Sequence, residues 1–503
     1  MYAAVFLACV GVLYMMDKMT GKKDVPVEET VIAQESTTAA GDITPFPTQE
    51  TTEEETVPET QEEESKVTWN SSGYRYKNWD KKLPDIWTPP VEEEKPYEPP
   101  RIILATDIHY QSHDAEDDGK AFQNFVENCD GKVVEYLPQL LEAFLDEVIA
   151  EHPTALVLSG DITMNGEKIN HEELGARLAR VMDAGIQVLV IPGNHDINNP
   201  NAALYFGDWK TPAEQVTGEE FYEIYRRYGS DQAFSRDSAS LSYAYALDEK
   251  NWVIMIDSAQ YNPTNKVVGR IQDETLSWMD GILAQAKEQG IFVLPIAHHN
   301  LLAQSRMYPT ECVMENSPAI IDLFQKYELP LFMSGHLHVQ RIRQHRSGPG
   351  APTNEYGIQE IITDAMSIPP CQYGTLTWKM DGSLEYATRS VDVSAWAKKN
   401  NISDENLLNF PEWSHEYIET LIANQIRRQI RNLGEDIISS MSSLYAQVYM
   451  DYYAGRKIDK KAVSETKGYR FWERNLPDSR LLDEINRMMD DADRDNNYWS
   501  TEG

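Results

Sequence analysis

His336 and His338 stand two positions apart in Ser334-Gly335-His336-Leu337-His338, directly behind the hydrophobic run Leu331-Phe332-Met333. In extended backbone, residues two apart lean to the same side, so both imidazoles can reach one ion. The same device, an apolar run and then a polar cluster, recurs along the chain. Ile102-Ile103-Leu104 precedes Asp107-Ile108-His109, and Ala155-Leu156-Val157-Leu158 precedes Gly160-Asp161. Val188-Leu189-Val190-Ile191 precedes Gly193-Asn194-His195-Asp196, and Phe292-Val293-Leu294 precedes His298-His299. These read as strand ends that carry oxygen and nitrogen donors to a common site.

Asp107, His109, Asp161, Asn194, His298, His336 and His338 make a donor set of carboxylates, an amide and imidazoles, without a thiolate. Such a set suits manganese, iron or zinc in high coordination better than a structural zinc site. It is too large for one ion and suits two, provided that one carboxylate bridges them. Two cations about 3.5–4 Å apart would clamp a phosphate, lower the pKa of a water between them and stabilise an in-line displacement. Asn194 fits because an amide oxygen ligates without adding charge.

At 503 residues the chain exceeds one ordinary domain. A net charge of -36 excludes a nucleic-acid polymer as partner, since that needs a basic face. It does not exclude a small anion, because exposed charges are screened beyond about 10 Å and bound cations reverse the local sign. Cys9, Cys129, Cys312 and Cys371 show no CxxC spacing, which argues against a zinc ribbon or a disulfide scaffold.

Residues 1–24 contain the apolar run Ala3 to Met16, short for a membrane span and suited to a signal peptide or signal-anchor. Residues 25–68 are rich in Thr, Glu and Pro, and Val25 to Ser65 lacks Lys and Arg, so an extended disordered stalk is expected. Residues 69–100 read as a linker or strap. Together they predict an exported protein, anchored at the cell surface or secreted, with membrane contact through the N-terminal segment where it is uncleaved.

Residues 101–391 alternate strand-like runs with helical patterns, such as Lys132 to Ala150 and His171 to Ala184, and imply parallel strands first. Later runs without helices, and a hairpin turning at Asp381-Gly382, imply antiparallel pairing. The expected fold is α/β, with two sheets face to face and helices outside. Residues 392–503 show helical stripes of a small bundle, with Tyr449, Tyr452, Tyr453, Tyr469, Phe471 and Trp472 expected in its core rather than as a ligand stack. Asp490 to Asp495 lacks the Gly and terminal Glu of a calcium loop and reads as a solvated tail.

Asp-x-His, Gly-Asp, Gly-Asn-His-Asp, His and Gly-His-x-His, in this order between Arg101 and Arg389, resemble calcineurin-like metallophosphoesterases. The Asp-x-His opening, the His298-His299 pair, the stalk and the helical C-terminus look most like bacterial class III cyclic nucleotide phosphodiesterases. The resemblance implies a four-layer αββα sandwich. It further implies that Asp107, His109, Asp161 and His338 hold one metal, and Asp161, Asn194, His298 and His336 the other. His195 would be the general acid or electrostatic donor at the leaving oxygen, with Asp196 orienting it. Manganese or iron, with zinc as a further choice, would supply the activated hydroxide. The tyrosine ligand of purple acid phosphatases has no counterpart in these motifs.

Either His298 or His299 could be the ligand; His298 is the usual choice in relatives, which leaves His299 near substrate together with His113, within the acidic insert Tyr110 to Lys132. His152, His171, His345 and His415 are expected at the surface or at helix ends. The predicted activity is hydrolysis of a small phosphodiester, and the resemblance implies 3′,5′-cyclic nucleotides as the substrate class. Alternatives are a phosphatase, nucleotidase or glycerophosphodiesterase on the same site, or a surface interaction protein with a vestigial site. Oligomeric state is not legible.

Overall fold

The computed structural model describes residues 97–308, 312–345 and 357–501. The expected signal or anchor, the stalk and most of the linker lie outside the described residues. Among those described, no helix is long and apolar enough to cross a membrane.

Among the described residues, fifteen strands form in chain order. They are β1 (Arg101–Ala105), β2 (Ala155–Ser159), β3 (Gln187–Ile191), β4 (Ala203–Phe206), β5 (Trp209–Pro212), β6 (Ser235–Arg236), β7 (Tyr243–Ala246) and β8 (Asn251–Ile256). They continue with β9 (Phe292–Ala297), β10 (Leu331–Ser334), β11 (Arg341–Gln344), β12 (Gln359–Ile362), β13 (Gln372–Trp378), β14 (Leu384–Ser390) and β15 (Tyr498–Ser500). One sheet has the order β15-β14-β13-β1-β2-β3, and the other β11-β12-β10-β9-β8-β7-β6. The central strands β1-β2-β3 and β8-β9-β10-β12 run parallel, with antiparallel strands outside them.

Strand periodicity builds the layers. Ile102, Leu104, Val157 and Leu189 point inward and meet Met255, Leu294, Ile296 and Met333 of the other sheet. Ile103, Leu156, Leu158 and Val188 point outward under Leu140, Phe144, Leu174 and Leu178 of helices Leu137–Glu151 and Lys168–Asp183. Ile254, Val293 and Phe332 lie likewise under Met279, Leu283 and Phe324 of helices Asp273–Gln289 and Ser317–Lys326. Burying each such side chain contributes roughly 1.5–3 kcal/mol. This is the expected αββα sandwich.

The first long helix begins at Leu137, after a 3-10 turn over Val134–Tyr136, and not at Lys132. Pro138 has no N–H to give a preceding turn, so it is accommodated in the first turn and marks the start.

Helices Phe410–Gln429, Glu435–Tyr453, Lys467–Asn475 and Arg480–Asp491 form the C-terminal region. They pack Ile422, Tyr452 and Trp472 against Leu337, Val339, Ile362 and Ala365 of the sandwich. In the acidic end Asp490, Asp493 and Asp495 are exposed, as expected of a solvated tail, but Asp491 is not. Asp491 is buried, 3.2 Å from Arg341 Nη2, and accepts a hydrogen bond from Tyr452 Oη at 2.9 Å. The chain then returns as β15, which pairs antiparallel with β14. Composition shows the run of Asp residues but not the buried arginine that one of them meets.

A candidate dinuclear metal centre

The donors sit where the parallel strands of both sheets end. β1 delivers Asp107 and His109, β2 Asp161, β3 Asn194 and His195, β9 His298, and β10 His336 and His338. Asp107, His109, Asp161, His336 and His338 all have left-handed backbone, with φ of 51°, 48°, 46°, 64° and 62°. For residues other than glycine such backbone costs of order 1–3 kcal/mol each and gathers at functional sites. The glycines beside them pack equally closely: a Cβ on Gly193 would strike the Asp161 carboxylate, and one on Gly335 would strike Thr106 and Asp107.

Donor atoms of Asp107, His109, Asp161 and His338 all lie within 4.8 Å of one another. His338 Nε2 is 3.1 Å from Asp107 Oδ1 and 3.3 Å from His109 Nε2. Asp107 Oδ2 accepts hydrogen bonds from Thr106 Oγ1 at 2.8 Å and from the His336 amide at 2.9 Å. Asp161 stands between this group and the next. Its Oδ1 accepts from the His195 amide at 2.7 Å, and its Oδ2 lies 3.2 Å from His298 Nε2. Burial alone would raise the Asp161 carboxyl, but His298 and His195 hold it well below the ordinary range.

His298 Nδ1–H donates to Ser159 O at 2.9 Å, which fixes the ring with Nε2 toward Asp161. Asn194 Oδ1 is buried and receives no hydrogen bond. A buried carbonyl oxygen without a donor is costly, unless a cation meets it. The residues therefore fit two metal ions: a carboxylate at the centre, imidazole nitrogens on both sides and an amide oxygen that no protein donor uses.

His195 is part exposed, and its Nδ1–H donates to Met164 O at 2.8 Å with Asn165 Oδ1 3.1 Å away. Nε2 then faces the centre, 4.0 Å from Asp161 Oδ2. Burial lowers the pKa of this imidazole. Asp196 does not orient the ring. Its carboxylate accepts from the amides of Ile162, Thr163 and Gly193 and from Thr163 Oγ1, at 3.2, 2.9, 2.8 and 2.9 Å. It ties the loops after β2 and β3 together, and burial pushes it up to about 7. The orienting groups are Met164 and Asn165, which the motifs did not reveal because one acts through its backbone.

Of three other histidines, His171 differs from the surface or helix-end expectation. His299 is fully buried; its Nε2 is 3.0 Å from Val267 O and its Nδ1 2.9 Å from Ser258 Oγ, and its ring groups with those of His298 and His336. His113 pairs with Glu116 at 2.8 Å and approaches Gln139; none of its hydrogen bonds reaches the cluster. His171 is fully buried, with Nε2–H donating to Asp196 O at 2.8 Å and Nδ1 3.0 Å from Tyr225 Oη, so a helix in the outer layer grips the catalytic loop.

Residues 100–340 match the model of the calcineurin-like phosphoesterase family. Residues 392–495 match the model described as the C-terminal domain of cyclic nucleotide phosphodiesterase. A curated relative, a probable cyclic nucleotide phosphodiesterase from Ruthia magnifica subsp. Calyptogena magnifica, is 24% identical over 200 residues, 39% of this chain and 68% of the relative. Among solved structures, a dimetal phosphatase from Danio rerio is 14% identical with a TM-score of 0.41, covering 58% of this chain and 97% of its own. A purple acid phosphatase from yellow lupin seeds is also 14% identical, with a TM-score of 0.34, covering 58% of this chain and 51% of its own.

Proposed function

We propose that this protein, a metallophosphoesterase with a calcineurin-like phosphoesterase domain, hydrolyses phosphodiesters, with 3′,5′-cyclic nucleotides as its substrate class. The convergence of Asp107, His109, Asp161, Asn194, His298, His336 and His338 on one cleft carries the hydrolytic reading. The C-terminal family match and the relative named above support the cyclic-nucleotide class.

Asp107, His109, Asp161 and His338 would hold one ion, and Asp161, Asn194, His298 and His336 the other. Two cations held there would supply Lewis acidity toward the phosphoryl oxygens and an activated water near neutral pH. The chain's own residues do the rest. Thr106 and the His336 amide fix Asp107, and the His195 amide fixes Asp161. His195 presents Nε2 to the cleft and protonates the departing alkoxide, with Met164 and Asn165 holding its tautomer. In keeping with the N-terminal composition, the enzyme would work outside the cytoplasm on a stalk, reaching small diffusible esters.

The test is hydrolysis of 3′,5′-cyclic AMP and bis(p-nitrophenyl) phosphate by metal-stripped protein titrated with manganese. Turnover of both that rises with manganese supports the reading. Turnover of the synthetic diester alone discards the cyclic-nucleotide class, and turnover of neither discards the phosphodiesterase.

A further inference from the structure

One buried cation has no part in the mechanism above. Lys132 is 5% exposed, and among the described residues no carboxylate lies within ion-pair distance of its ammonium. Buried lysines are normally paired. Asp130 (φ 52°) and Gly131 (φ 78°) turn the chain sharply just before it. Just after it, the Val133 amide donates to Ser367 O at 2.9 Å, and Ser367 in turn donates from Oγ to Asp107 O at 2.8 Å. The lysine is thus tied to the loop that carries Asp107.

Its charge reaches the site. The Lys132 ammonium is close enough to act through space on both His109 and His195. The position is also held from outside. Tyr417 Oη lies 3.2 Å from Val126 O and 3.1 Å from Lys132 O, and Tyr449 Oη donates to Asp130 O at 2.9 Å. Both tyrosines belong to the C-terminal helices.

We propose that Lys132 is a substrate-binding residue whose ammonium receives a non-bridging oxygen of the phosphoester, and that the C-terminal helices position it there through Tyr417 and Tyr449. The assignment rests on the phosphoesterase reading and adds the group that recognises the anion. Lysine binds phosphate as a compact point charge. In a chain of net charge -36, a cation at the cleft also raises the local concentration of an anionic ester.

The experiment uses the full chain loaded with manganese and takes inorganic phosphate as the probe, read by calorimetry beside manganese stoichiometry, Tm and turnover of bis(p-nitrophenyl) phosphate. Lys132→Met is expected to bind manganese as wild type does, to keep or raise the Tm of the metal-free protein, and to weaken phosphate binding ~10-fold or more. Lys132→Arg restores part of the affinity, and Tyr417→Phe gives a smaller loss with metal content unchanged. Wild-type phosphate affinity in Lys132→Met overturns the assignment and leaves the phosphoesterase intact. A lowered Tm with equal losses in the Met and Arg variants overturns it in favour of a structural lysine. Wild-type protein that binds manganese but neither binds phosphate nor turns over the diester overturns both.

Discussion

His109 and His338, far apart in the chain, face each other Nε2 to Nε2 at 3.3 Å, with Asp107 Oδ1 3.1 Å from the second ring. Two imidazole nitrogens at that distance share one proton or one cation, and a carboxylate beside them favours the cation. Asn194 Oδ1, buried and without a donor, makes the same demand on the other side of Asp161.

Metal should therefore stabilise the fold as well as activate it. Manganese at about 100 times its Kd contributes about 2.7 kcal/mol per site, or about 5 °C in Tm with both sites filled in a chain of this size. Scanning calorimetry of stripped and titrated protein checks this. An unchanged Tm at saturating manganese would mean that the cleft does not take up the ion.

Removal of Asn194 Oδ1 should separate metal binding from folding. Asn194→Leu is expected to leave the metal-free stability within about 1 kcal/mol of wild type, since no protein hydrogen bond is lost there. Activity should fall at least ~100-fold as the ion contacting that oxygen is weakened. Asp161→Ala should abolish turnover, because it removes the carboxylate between the two groups. Elemental analysis of both variants, showing fewer than two ions per chain, completes the test; two retained ions would contradict the ligand assignment.

His195 should matter for the leaving group more than for the metal. His195→Ala is expected to keep both ions and to slow an alkoxide leaving group by about 10²–10⁴-fold, with a much smaller loss for p-nitrophenolate, which departs without a proton. Asn165→Ala should reproduce this pattern weakly, because Met164 O still holds the ring. Equal losses on both leaving groups would count against proton donation.

Asp257 should leave a mark on acid stability. Burial pushes this carboxyl up to about 6, against hydrogen bonds from Tyr261, Leu241 and Ala259. With the folded value above the unfolded one, the stability it contributes is fully present below pH about 4 and is lost as pH rises to about 6. The shift of roughly two units corresponds to about 3 kcal/mol. Denaturation of wild type and Asp257→Asn from pH 4 to 7 should show the variant gaining relative stability over that window. Parallel curves would remove the assignment.

The sequence by itself determined the sandwich and the donors. Apolar runs such as Ile102-Ile103-Leu104 can be satisfied only between two layers, and the polar cluster after each run must emerge at the strand end. Asp107, His109, Asp161, Asn194, His298, His336 and His338 were legible because their chemistry and their place after a strand agree. Tertiary structure alone decided which neighbour each group uses. Asp196 follows His195 directly, yet its carboxylate turns to the Gly193 and Thr163 amides, and the ring is held by Met164 O, a backbone atom common to every residue type. His171 is a buried support, a role set by the groups packed against its helix. Asp491 finds Arg341 and Tyr452, and Lys132 meets Tyr417, only when the C-terminal helices close on the sandwich. Local spacing governs which residues share a face; pairings over hundreds of residues depend on how whole layers pack, and no local pattern records them.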